Sequence, residues 1–114
     1  MTTTHNAQTM SLGRDGASAS DELTALRCRL DAVDRELLDC LRERLECCIA
    51  IGRVKQAAAV PMMQPRRIDL VHQRAARYAA EHGIDGDFLR RLYELIIAET
   101  CRVETLVMAE AEQR

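Results

Sequence analysis

From Asp21 to near Ala57 the chain runs about 35 residues with no proline and one glycine, Gly52, a stretch that as a single helix spans roughly 50 Å. A compact monomer of 114 residues has a radius of gyration of about 13 Å, so the rest of the chain cannot cover such a helix along its length. Leu23, Leu26, Leu30, Val33, Leu37, Leu41, Leu45 and Ile49 follow one another at spacings of three and four, a heptad-like seam suited to packing on other helices. The stripe is interrupted by Arg27, Arg44 and Lys55. The helix therefore implies a partner chain, and cations on its inward side imply an anionic guest.

Ser20 is the expected N-cap, with Asp21 and Glu22 near the positive end of the helix dipole. The helix is expected to fray after Lys55, because Pro61 and Pro65 follow. Pro65 suits the first turn of a second helix through Ile68, Val71, Ala75, Tyr78 and Ala79, which Gly83 stops. Asp85 or Asp87 caps a third helix carrying Phe88, Leu92, Leu95, Ile96, Val103 and Leu106 toward Met108. No segment alternates like a strand. The expected fold is all-α, one very long helix and two shorter ones per chain, in a single domain over residues 21–114. Residues 1–20, rich in Thr, Ser, Ala and Gly, read as a disordered leader with no apolar core to act as a secretory signal.

Composition removes several function classes. Aromatic residues are 3% of the chain and tryptophan is absent, which argues against stacking on single-stranded nucleic acid. A net charge of −2 gives no general attraction to nucleic acid or anionic membrane. No apolar stretch approaches the ~20 residues of a membrane span. Cys28, Cys40, Cys47, Cys48 and Cys101 form no C-x-x-C and no zinc-spaced cluster. They read as reduced structural thiols of a cytoplasmic protein, with no metal site expected.

Arg44 and Lys55 fall within about 20° of one helix face and roughly 16 Å apart along it. Arg27 points about 100° away from Arg44, and reaches the same pocket more easily from a second chain. Arg66 and Arg67 open the second helix beside that pocket. Thr100 and Glu104, four residues apart, share a face of the third helix. The bland alternative is a solvated face, which is how Arg29, Arg35, Arg42 and Arg53 read. His72 and His82 are isolated.

The segments Leu23-Thr-Ala-Leu-Arg27, Asp31-Ala-Val-Asp34-Arg-Glu-Leu-Leu38, Arg42-Glu-Arg44, Ile51-Gly-Arg-Val-Lys55 and Leu92-Tyr-Glu-Leu-Ile-Ile97 resemble the all-helical chorismate mutase family over about residues 21–108. The resemblance implies an intertwined homodimer with two active sites, each borrowing Arg27 across the interface. It implies a Claisen rearrangement of chorismate to prephenate, a concerted [3,3] shift with no covalent intermediate and no cofactor. Arg27 and Arg44 would then hold the two substrate carboxylates with bidentate geometry. Lys55 would donate to the enol-ether oxygen, where charge builds as the C–O bond breaks, with Glu104 on its other side. Arg67 and Thr100 would line the site.

Two positions depart from the commoner bacterial pattern. Glu104 stands where many relatives have glutamine, and is expected either to be protonated in the working complex or to be held in a polar network. Ile68 stands where relatives acting on chorismate have a carboxylate near the C4 hydroxyl, and the preceding loop offers Gln64 in place of an acid. The segments Pro61-Met-Met-Gln64-Pro65 and Ile97-Ala-Glu-Thr100-Cys-Arg-Val-Glu104 resemble the subgroup that converts 4-amino-4-deoxychorismate to 4-amino-4-deoxyprephenate for antibiotic precursors. Chorismate itself, the isochorismate-pyruvate lyase reaction and a non-catalytic ligand-binding or regulatory helical dimer stay open as alternatives.

Overall fold

The computed structural model describes residues 16–113. Three helices account for most of them, α1 (Gly16–Ala57), α2 (Pro65–His82) and α3 (Gly86–Glu112), and no strand occurs among the described residues. The expected leader lies outside the described residues as far as residue 15. Its last residues are helical instead: α1 starts at Gly16, so Ser20 is inside the helix and not its N-cap. Once the leucine-rich turns have nucleated a helix, each added residue costs little, and Ala19 is the best helix former. α3 likewise runs past Met108 to Glu112.

The chain divides into two compact units, one ending at Leu41 and one beginning at Arg42. In the first unit the seam side chains are exposed, with Leu30 at 58% and Leu37 at 54%. A lone helix has no neighbouring turn to lay over its own apolar stripe.

The second unit holds the end of α1, the connector, α2 and α3. α2 and α3 pack against one another, with Ala75 and Ala79 buried on α2. Small side chains at such positions let helix backbones approach. The same economy appears between α1 and α3: Gly52 is buried, and a Cβ built on it would lie 3.3 Å from the Cα of Glu104. Cys48 of α1 and Glu104 of α3 are buried as well.

The helix ends are set by backbone geometry. Gly83 takes a left-handed φ of 67°, and the Ile84 N–H donates to the Ala79 carbonyl at 3.0 Å, so α2 stops where glycine permits it. α1 closes in the same pattern, with Val60 N–H donating to Lys55 O at 2.8 Å, but here Ala59 carries the positive φ of 56°. Pro65 occupies the first turn of α2. Asp85 caps α3, its Oδ1 accepting from the Asp87 N–H at 3.0 Å. The left-handed turn at Ala59 redirects the chain into the connector, which returns Met62 to the end of α1.

Candidate active site

A cavity of about 530 Å³ opens in the second unit among α1, the connector, α2 and α3. Its wall brings together Arg44 and Lys55 from α1, Gln64 from the connector, Arg67 and Ile68 from α2, and Thr100 and Glu104 from α3. The eleven-residue spacing of Arg44 and Lys55 and the four-residue spacing of Thr100 and Glu104 place each pair along one face of its helix. Arg27, the remaining residue expected in the site, belongs to the first unit, where it is exposed.

Lys55 is the most constrained of the cations. Its Nζ donates to Glu104 Oε1 and to the Met62 carbonyl, both at 2.7 Å. An ammonium has three N–H donors, so one remains for a ligand in the cavity. Glu104 is 3% exposed, and Lys55 supplies its counter-charge. Of the two environments expected for this acid, the geometry corresponds to the polar network. Met62 is fixed in turn by its side chain, whose Sδ accepts from the Thr105 hydroxyl at 2.9 Å.

Arg44 is held from α3. Its Nη1 donates to Thr100 Oγ1 at 2.6 Å, while the Thr100 hydroxyl donates to the Ile96 carbonyl at 3.0 Å. The buried Cys48 thiol sits one turn beyond Arg44 and approaches the same hydroxyl at 3.5 Å. Thr100 therefore orients the guanidinium while lining the cavity. Gln64 is tethered through Nε2 to the Pro61 carbonyl at 2.9 Å. That carbonyl can only accept, so the amide oxygen of Gln64 is the group left to receive a donor.

Two participants escaped the sequence reading. Met62 contributes a main-chain carbonyl, which no residue type announces. Cys48 reads as packing, although its place four residues after Arg44 puts it on the same helix face. Cys47 and Cys101 also line the cavity, and all five cysteines are free. The walls between the charged groups are apolar, with Ile51, Val71 and Ile97 among them. Three cations around an apolar hollow, with one buried carboxylate beside the lysine, suit a small dianion whose carbon skeleton sheds water on entry. Among the described residues no helix is long and apolar enough to cross a membrane.

The family model for chorismate mutase type II matches residues 26–105. A 4-amino-4-deoxychorismate mutase of Streptomyces pristinaespiralis is 61% identical over 88 residues, covering 77% of this chain and 68% of the relative. A 4-amino-4-deoxychorismate mutase of Streptomyces venezuelae is 55% identical over 89 residues, 78% of this chain and 86% of the relative. The bifunctional chorismate mutase/prephenate dehydratase of Escherichia coli K12 is 26% identical over 93 residues, which are 82% of this chain and 24% of that protein.

Proposed function

The chain belongs to the chorismate mutase type II family of isomerases, and from that premise we propose that it converts 4-amino-4-deoxychorismate to 4-amino-4-deoxyprephenate. The observation that carries the substrate assignment is the 61% and 55% identity to two proteins of that name, each spanning more than two thirds of both chains. The cavity supports the chemistry. Arg44 and Arg67 line its wall, and Arg44, held by Thr100, would bind one substrate carboxylate. The free N–H of Lys55 donates to the ether oxygen as the C–O bond breaks and the new C–C bond forms in one step. The site needs no proton transfer to carbon and no cofactor. Its contribution is to select the folded conformer and to stabilise the charge on oxygen.

The C4 end is the part that departs from chorismate-specific relatives. Ile68 offers no carboxylate there, and Gln64 offers a neutral acceptor suited to an N–H donor. An ammonium at C4 lowers the net negative charge of the ligand by one, which makes a cavity containing Glu104 more tolerant of it.

The protein acts as a homodimer in this reading, with Arg27 of each chain completing the site of the other. Support comes from the exposed leucine seam of the first unit, an apolar stripe far larger than isolated surface residues account for. The product feeds an antibiotic-precursor pathway and the enzyme works in the cytoplasm.

Turnover of chorismate, 4-amino-4-deoxychorismate and isochorismate by the purified chain, with product identification, tests the proposal. A preference for the amino compound that Lys55→Ala abolishes is the expected result. Equal or better turnover of chorismate returns the enzyme to primary aromatic metabolism. Pyruvate release from isochorismate makes it a lyase, and no turnover of any of the three favours a non-catalytic module.

A further inference from the structure

Gly52 stands three residues before Lys55 on α1 and faces the backbone of Glu104. A Cβ there would lie 3.3 Å from Glu104 Cα and 3.5 Å from both its Cβ and its Cγ. Glycine inside a helix is a poor helix former, so its presence in the 42 residues of α1 calls for a local reason. The neighbouring atoms supply it: α1 and α3 approach one another so closely here that a methyl group fits only if one of them gives by a few tenths of an ångström.

That approach falls beside the one buried ion pair of the described residues. Glu104 projects from the backbone that Gly52 touches, and its Oε1 meets Lys55 Nζ at 2.7 Å. The lysine is tethered on its other side by the Met62 carbonyl at 2.7 Å. With both donors committed at short range, a few tenths of an ångström added between α1 and α3 redistributes the ammonium. It must lengthen the bond to Glu104, lengthen the bond to Met62, or turn its third N–H away from the cavity. We infer that Gly52 is a positioning residue: its missing side chain sets the separation of α1 and α3 at which the Lys55–Glu104 pair closes and leaves one ammonium N–H to the cavity. The catalytic arm of this inference rests on the mutase reading, whereas the geometry of the pair stands without it.

The test compares Gly52→Ala with Arg53→Ala, a change at an exposed neighbouring residue of the same helix. Thermal melting, steady-state turnover of 4-amino-4-deoxychorismate, and the NMR signal of the Lys55 ammonium, assigned by its loss in Lys55→Arg, are measured on each full chain. Alanine is the better helix former, so the melting temperature of Gly52→Ala is expected to hold or rise. Its kcat is expected to fall at least about tenfold while KM stays within about threefold, since misplacement by a fraction of an ångström acts on the reacting geometry. Its Lys55 ammonium signal is expected to shift or broaden away, and Arg53→Ala to match wild type in all three. A folded Gly52→Ala with wild-type kcat and an unchanged lysine signal overturns the inference. A variant that fails to fold overturns it too, because the contact then serves the fold and not the pair. Should the wild-type chain turn over none of the substrates, the mutase reading fails, and the lysine signal alone decides the positioning role.

Discussion

The Lys55 ammonium lies 2.7 Å from Glu104 Oε1, in a pair whose side chains are 14% and 4% exposed. One lysine is thus the counter-ion of a buried acid and, in the proposed mechanism, the donor to the breaking ether bond. Lys55→Ala removes both. Activity is expected to fall by about 100- to 1,000-fold, the usual consequence of deleting a donor to a developing oxyanion. Stability should fall by up to about 3–5 kcal/mol, because the acid is left buried without its counter-charge. A chemical-denaturation cycle separates the effects: Lys55→Ala/Glu104→Ala should be more stable than Lys55→Ala alone. A double variant that merely adds two losses would show that the pair contributes no coupling.

Glu104 bears on the reaction through the same ammonium. A carboxylate near the ether oxygen opposes the charge that develops there, whereas an amide N–H donates a hydrogen bond to it. Glu104→Gln keeps the shape of the side chain and is expected to keep substantial activity, read as kcat with 4-amino-4-deoxychorismate. A loss as large as that of Lys55→Ala would show that the reaction requires the ion pair itself.

Arg44 depends on Thr100 for its orientation, through a bond of 2.6 Å. Thr100→Val keeps the shape and removes the acceptor. A hydrogen bond to a charged group contributes about 1.5–3 kcal/mol, so kcat/KM should fall by roughly 10- to 100-fold. Cys48→Ala, which removes a longer contact to the same hydroxyl, should cost clearly less. Steady-state kinetics on the two variants rank them directly.

Most of the fold and part of the site were legible in the sequence for identifiable reasons. Period-3.6 spacing announced three helices, and Pro65, Gly83 and Asp85 marked ends that backbone chemistry enforces. The shared wall of Arg44 and Lys55 followed from their spacing on one helix. The start of α1 is not legible, because a helix that is already nucleated extends through any tolerable residue and Ser20, a capping residue by type, lies inside it. Met62 was invisible because a main-chain carbonyl carries no residue-type signal. The close contact at Gly52 is made with Glu104, 52 positions away, and only the packing of α3 on α1 identifies it.

Ala59 was illegible in the same sense. It ends α1 with φ at 56°, a conformation that glycine adopts freely and alanine adopts at a cost of roughly 1–2 kcal/mol. Gly83 performs the same task at the end of α2. Ala59→Gly relieves the strain but adds entropy to the unfolded chain, leaving an expected gain of about 0.5–1 kcal/mol. Gly83→Ala should destabilise by a similar amount, although nothing within 4 Å would obstruct its Cβ. Thermal melts of the two variants should move in opposite directions, and a common direction would show that contacts and not backbone conformation set both ends.

The proposed assignment of Arg27 to the partner's site makes a prediction that no monomeric enzyme satisfies. Arg27→Ala and Lys55→Ala should each be nearly inactive alone, since each lacks a group in both sites of its dimer. When the two chains are unfolded together and refolded as a mixture, half of the dimers are mixed. In a mixed dimer one site receives both defects and the other receives neither. Activity should recover to about a quarter of the wild-type value, the product of half the dimers and half their sites. Leu30→Glu on both chains places a charge in the exposed seam and should abolish the recovery along with the dimer, as read by analytical ultracentrifugation. Recovery that survives as monomer, or no recovery from a mixture that dimerises normally, would each return Arg27 to the solvated face of its own helix.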